Sequence, residues 1–278
     1  MIRIITDSLS DLTLEQGKEL NIDIMCLNVR FGDEEYVCGK EMTNEQFYEK
    51  LATSPHPPSS SAVNPTAFTE IFNRYLEDDD DIICILFSSK MSATYQNAVI
   101  AAYEISSDKI RIIDSQTGLT SQALLVTHAV KLRDQGKTAE QIETAIRELI
   151  PRVRTYLVVD TMEYLKRGGR ISSGKALVGS LLHVHPVMQI VADGALAIGK
   201  VKGKKSCNAW LVDKLLAEPA DPDYPVVIGH SNALERAEQF EEQLREAGIR
   251  NDFMTNCIGP IIGTHAGPNC LGIGYILK

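Results

Sequence analysis

Short apolar runs alternate along the chain with stretches whose apolar residues recur every three or four positions. That rhythm is strands alternating with amphipathic helices, and it predicts an α/β protein. Ile2–Ile5 and Ile24–Val29 predict strands flanking a helix that Ser10 or Asp11 caps and that ends near Leu20. Thr43-Asn44-Glu45-Gln46 is a capping box opening a helix through Leu51, because Gln46 stands where it can reach back to the cap. The proline-rich run Pro55–Ser61 forces extended backbone, since proline denies its predecessor the α region. Asn64-Pro65 then restarts a helix, cap first and proline at the first helical position.

Ile82–Phe87 is a continuous apolar run of the kind found in a sheet covered on both faces. A helix over Ala93–Ile105, a strand over Ile110–Ile113 and helices over Ser121–Arg133 and from Thr138 towards Ile150 follow it. A parallel sheet with helices on both faces accounts for this part, and the expected amino-terminal domain is 1–155. From Tyr156 glycines multiply, and Asp193-Gly194 between Val187–Val191 and Ala195–Val201 signals a β-hairpin. Val226–Gly229 and Thr255–Ile258 flank a charged helix, Leu234–Ala247, that Gly248 ends. The expected carboxy-terminal domain, 156–278, is thus smaller, with a mixed sheet and an inserted helix and hairpin, and a ligand would sit between the two domains.

Composition narrows the function classes. With 278 residues, 44% of them hydrophobic, the chain can bury a real core, and its net charge of −9 argues against a free-standing nucleic-acid binder. Apolar runs too short to span a bilayer, an opening without a leader pattern and six scattered cysteines predict a cytosolic protein with reduced thiols. The run Asp78-Asp79-Asp80-Asp81 predicts a solvated turn, because calcium loops space their ligands around a glycine. His183-Val184-His185 has no neighbouring Cys, Asp or Glu to complete a metal site, so no metal is expected.

Three segments could carry chemistry. Ser88-Ser89-Lys90-Met91-Ser92-Ala93-Thr94-Tyr95 lies between a buried strand and a helix, where open α/β sheets bind ligands and where a helix amino end suits an anion. It lacks the glycines of a nucleophile elbow, and Ser92 as a simple helix cap is the competing explanation. Gly259–Pro268 is a rigid glycine- and proline-rich segment with Thr264 and His265 at its centre. Gly169–Ala176 imitates a phosphate-binding loop, but Ala176 has no hydroxyl for Mg²⁺ and no strand leads into the first glycine, so a nucleotide site is rejected. The charge count offers that region another use. Residues 166–205 carry eight basic side chains against Asp193 alone, a local charge of +7 that leaves −16 on the remainder. Such asymmetry predicts a docking face, formed by Arg167, Arg170, Lys202, Lys204 and Lys205, for an acidic partner or an anionic membrane; a solvated hairpin is the plainer alternative.

Five segments, in order, carry a resemblance over essentially the whole chain. Thr6-Asp7-Ser8, Ser60-Ser61 followed by Pro65 and Phe68, Ser92-Ala93-Thr94-Tyr95-Gln96, Arg167-Gly168-Gly169-Arg170-Ile171 and Gly263-Thr264-His265-Ala266-Gly267-Pro268 resemble the DegV family, bacterial fatty-acid-binding proteins that serve a fatty acid kinase. The resemblance implies a long-chain fatty acid such as palmitate between two α/β domains, its carboxylate near Ser60, Ser61, Ser92, Ala93, Thr264 and His265. It implies no further cofactor, and kinase chemistry in a separate ATP-binding subunit that forms an acyl-phosphate. The chain departs from the family pattern at Ser60, where threonine is common, at Ala93 and Asn269, where glycine is, and at Ala62-Val63, where Gln-Pro is usual. About 14 buried methylenes would gain roughly 11 kcal/mol gross, enough to hold an acyl chain without a buried lysine. The alternative is a lipid-ester hydrolase with Ser92 as nucleophile and His265 as base.

Overall fold

The structure, a computed structural model, describes residues 1–172 and 184–278, and the side chain of Lys204 lies outside that description. Ala176 and His183, named above, and Lys175 also fall outside it.

β1 (Ile2–Asp7) and β2 (Asp23–Met25) open the chain. β3 (Asn28–Phe31), β4 (Glu34–Val37) and β5 (Pro58–Ser61) form a small antiparallel sheet in the order β4-β3-β5. β6 (Asp81–Leu86) and β7 (Ile110–Asp114) then complete a parallel sheet, β2-β1-β6-β7. The remaining strands, β8 (Val153–Val158), β9 (Val184–Val191), β10 (Gly194–Lys202), β11 (Val226–His230), β12 (Phe253–Cys257) and β13 (Leu271–Ile276), make a mixed sheet in the order β10-β9-β8-β13-β11-β12. The helices are α1 (Leu14–Glu19), α2 (Asn44–Thr53), α3 (Pro65–Glu77), α4 (Thr94–Ile105), α5 (Ser121–Asp134), α6 (Ala139–Leu149), α7 (Glu163–Gly168), α8 (Lys204–Ala217), α9 (Leu234–Glu246) and α10 (Pro260–Ala266).

Local chemistry explains most boundaries. Thr43 and Thr138 make complete capping boxes with Gln46 and Gln141. Asn64 caps α3 through its side chain, with Pro65 in the first turn. Ile82–Leu86 is fully buried, as expected of a strand between two paired neighbours. The β9–β10 hairpin turns at Ala192-Asp193, and a side chain at Gly194 would meet the Arg170 carbonyl at 2.8 Å and the Ser172 amide at 2.9 Å. Glycine is needed there because the chain after α7 runs directly beneath the hairpin.

Three local expectations are corrected. Ile24–Val29 is not one strand: the chain leaves the parallel sheet after Met25 and enters the small antiparallel sheet at Asn28. The break is held by Leu27, whose amide donates to Ser8 Oγ and whose carbonyl accepts from Cys38. Thr13, not Ser10 or Asp11, caps α1, because Ser8–Ser10 forms a short 3₁₀ turn and Asp11 takes a left-handed backbone. The acidic run is not simply a solvated turn, since Asp80 is 2% exposed and accepts from Arg3 at 2.6 Å. Asp79 and Asp81 pair with Lys109 and Arg111 at the rim.

One hydrophobic cluster joins the two halves. It holds Ile5, Phe47, Phe68 and Leu86 from the first part together with Leu157, Met188, Ile258 and Ile262 from the second. The chain crosses into the second sheet along β8, which spans the junction at 155/156.

Candidate functional site

A cavity of about 200 Å³ opens within that shared cluster. Its apolar wall comes from both halves: Leu9, Leu27, Phe87 and Leu119 on one side, Leu157, Leu165, Ile190 and Ile262 on the other. Ser60, Ser61, Ser92, Arg170 and His265 supply its polar lining, with Ala93 beside them.

Two buried features set the wall. Asp7, from Thr6-Asp7-Ser8, does not face the cavity; its Oδ2 accepts from Phe87 N at 2.9 Å, and its Oδ1 accepts from Leu9 N at 3.0 Å and Gln122 Nε2 at 3.2 Å. Burial raises this carboxyl to about 6, and the bonds it accepts pull the other way. The acid therefore anchors two wall residues. The Phe87 ring also lies on Gly118, where an added Cβ would stand 2.0 Å from Cε2. Beside it Leu119 has φ +62°, a strained backbone for a bulky side chain and one that lines the cavity.

The polar end is built around His265. Its Nε2 lies 3.1 Å from Ser60 Oγ, across 205 positions of chain. Its Nδ1 is buried with no hydrogen-bond partner among the described residues, because the ring packs on Gly168, where a Cβ would stand 2.0 Å from Nδ1. A buried N–H without an acceptor is costlier than a bare ring nitrogen, so the proton belongs on Nε2. His265 then donates to Ser60 Oγ, and the Ser60 hydroxyl is free to donate into the cavity. Burial first, and the positive charge of Arg170 second, lower the imidazole to about 4, so it is neutral at pH 7.

Arg170 was expected only on a docking face, yet it lines the cavity. Its Nε donates to the Met91 carbonyl at 3.2 Å and its Nη1 to the Gly168 carbonyl at 2.5 Å, bridging the α4 side to the α7 side. Arg167 is exposed, paired with Glu163 at 2.6 Å and stacked over Tyr164. Lys202 and Lys205 are exposed.

The serine-rich segment is divided among tasks. Ser88 donates to the Ala192 carbonyl at the hairpin turn, and Ser89 Oγ donates to Asp114 at 2.5 Å. Ser92 Oγ lies 3.0 Å from Thr94 Oγ1 and accepts weakly from the Thr94 amide, so it does not cap α4 in the usual way. The cap position is Ala93, which has no side-chain bond to give, and the α4 amino end opens on the cavity through Ser92 and Ala93. Free amides and the helix dipole there favour an anion. Ser60 and Ser61 diverge, as neighbours on a strand must: Ser60 meets His265, whereas Ser61 Oγ lies 3.4 Å from Glu35 Oε1. Thr264 is buried and donates to the Pro260 carbonyl within α10, outside the cavity lining. Ser92 and His265 do not form the bonded pair a hydrolase needs, and no carboxylate among the described residues orients Nδ1.

Sequence patterning missed the wall residues Phe87, Leu119 and Leu157, whose apolar character is no different from that of core positions. The one signal for the wall was Gly118, a glycine outside any predicted turn. No group of three or more His, Cys, Asp or Glu among the described residues is placed to hold a metal, and no described helix is long and apolar enough to cross a membrane.

An apolar cavity between two α/β halves, with hydroxyls, an arginine and a helix amino end gathered on its polar lining, is the kind of pocket in which α/β proteins hold small molecules. The chain belongs to the DegV family, an uncharacterised protein family whose model matches residues 1–278. A DegV domain-containing protein from Caldanaerobacter subterraneus subsp. tengcongensis is 34% identical over 276 residues, 99% of this chain and 98% of the relative. The chain is also similar to DegV from Bacillus subtilis, a fatty acid binding protein, at 27% identity and a TM-score of 0.86, covering 100% of this chain and 99% of that one. A fatty-acid-binding DegV family protein from Thermus thermophilus superimposes with a TM-score of 0.91 at 25% identity, covering 99% of each chain.

Two outcomes are expected. Gly168→Ala will expel the His265 ring from its seat and destabilise the protein by about 1–3 kcal/mol, measured by chemical denaturation; wild-type stability would contradict the packing described. By NMR, His265 will stay neutral from pH 8 down to pH 5 and titrate near 4. Because its folded-state value lies below the ordinary 6.5, it adds stability that is complete above about pH 6.5 and lost as pH falls towards about 4. Asp7, raised to about 6, opposes that slope, so the comparison is with His265→Asn, in which the histidine's share disappears.

Proposed function

We propose that this protein binds a long-chain fatty acid in the cavity between its halves and presents the carboxylate to a separate kinase subunit, which phosphorylates it with ATP to an acyl-phosphate. The supporting observation is the cavity itself: apolar walls from both halves and, gathered with them, Ser60 Oγ 3.1 Å from His265 Nε2. A carboxylate there would accept from Ser60, from the Ser92 hydroxyl and from the uncapped amides of α4, with Arg170 close by. These donors satisfy the charge that burial would otherwise penalise by several kcal/mol. Most are neutral, so an oxygen stays nucleophilic enough for phosphoryl transfer. The fatty-acid-binding relatives from Bacillus subtilis and Thermus thermophilus support the ligand class.

The kinase subunit and transient contact with an anionic membrane surface belong to the same reading. Exposed Arg167, Lys200, Lys202 and Lys205 give a basic surface on a chain that is acidic overall, suited to an acidic partner or lipid head groups. A cytosolic location fits the six free thiols.

Native mass spectrometry of freshly purified protein is expected to show an adduct of fatty-acid mass. Ser60→Ala with Ser92→Ala should reduce its retention tenfold or more, since each bond to a charged group contributes about 1.5–3 kcal/mol; a protein that carries no lipid would refute the reading. Reversing charge at Lys202 and Lys205 should lower acyl-phosphate formation with a fatty acid kinase while the adduct persists. Unchanged turnover would remove the docking role.

A further inference from the structure

We propose that Asp11, which lies outside the ligand cavity, is a positioning residue that holds α10, and with it His265, in place for the ligand head group. The inference rests on the fatty-acid reading for its consequence but not for its geometry. α10 has seven residues, too few to be stable alone, and its cap residue Gly259 has no side chain to close the amino end. Asp11 closes it from 248 positions away, its Oδ1 accepting from the Gly259 amide at 2.9 Å. Tyr48 assists by donating to the Ile258 carbonyl at 2.8 Å, and Gly263 rests on Phe47 and Tyr48, where a Cβ would come within 2.6 Å of Phe47. The helix that carries His265 is therefore docked on residues of the first half, while the imidazole itself sits on Gly168 of the second.

Asp11 is an expensive choice for that task. It is 5% exposed, its backbone is left-handed with φ +58°, and its Oδ2 has no hydrogen-bond partner among the described residues. The titratable groups that interact with it are Asp7 from β1, Tyr48 from α2, Cys257 from β12 and Cys270 ahead of β13; none is basic. Burial pushes the acid up to about 8, so at pH 7 it is mostly a neutral carboxylic acid. A strained, buried and incompletely bonded acid lowers stability, and such residues concentrate where local geometry serves a site.

That separates positioning from mere structure. With Asp11→Ala, a structural role lowers the unfolding midpoint and ligand retention together. Positioning leaves the midpoint at or above wild type while retention falls about tenfold and the His265 titration, read by imidazole NMR on ligand-free protein, rises from near 4 by a unit or more. Asp11→Asn should restore both, since its amide oxygen accepts from Gly259 and it is neutral like the acid. Should Asp11→Ala fail to fold, pH decides: His265 resonances of wild type must shift between pH 7 and pH 9 as Asp11 ionises, and those of Asp11→Asn must not. Wild-type retention and His265 titration in Asp11→Ala, or identical pH profiles in wild type and Asp11→Asn, would overturn the proposal. If wild type carries no fatty acid, the proposed ligand fails, while the ligand-free imidazole readout still decides the role of Asp11.

Discussion

The site depends on how closely two stretches of backbone approach. α7 and α10 touch at positions where side chains are missing: the His265 ring lies on Gly168, and the Tyr164 ring lies on Gly267, where a Cβ would stand 2.5 Å away. On its other side α10 meets Phe47 and Tyr48 through Gly263. Any side chain at these glycines would push α10 outward and carry His265 away from Ser60. Close packing of this kind leaves no slack to absorb a methyl group. The placement of the imidazole is therefore a property of the glycines around it as much as of the histidine.

Electrostatics at the polar end follow from that packing. Pressing the ring against Gly168 removes water from Nδ1, which keeps the imidazole neutral and fixes its proton on the side of Ser60. The positive character of the cavity comes instead from Arg170 and from the amino end of α4. Arg170 is held by two backbone carbonyls, Met91 and Gly168, which fix its guanidinium beside the cavity. The titrating acids lie behind the wall. Asp7 holds the wall residues Phe87 and Leu9 by their backbone amides, and Asp11 holds the Gly259 amide at the start of α10; neither acid faces the cavity.

Function and stability pull against each other at several of these points. Leu119 in a left-handed conformation, Asp11 in another, and a buried imidazole with an idle nitrogen each lower the stability of the fold. They are supported by parts of the molecule that follow local rules closely: complete capping boxes on α2 and α6, the fully buried run Ile82–Leu86 in β6 and a continuous hydrophobic cluster through both halves. Leu119 and His265 line the cavity itself, while Asp11 stands behind it.

Much of the architecture was legible from local pattern. Capping boxes, the Asn64-Pro65 helix start, the run at β6 and the Asp193-Gly194 hairpin depend on interactions within four or so residues, so the sequence alone determined them. The candidate residues Ser60, Ser92 and His265 were legible as residue types in unusual segments. Their partnership was not. Ser60 meets His265 across 205 positions, and Asp11 meets Gly259 across 248, and nothing in short-range periodicity encodes such pairs. The same distance hid the split of Ile24–Val29 between two sheets, the inward turn of Thr264, and the placement of Arg170 on the cavity wall. Each is decided by which backbones can approach one another, and that is settled only when the two halves pack.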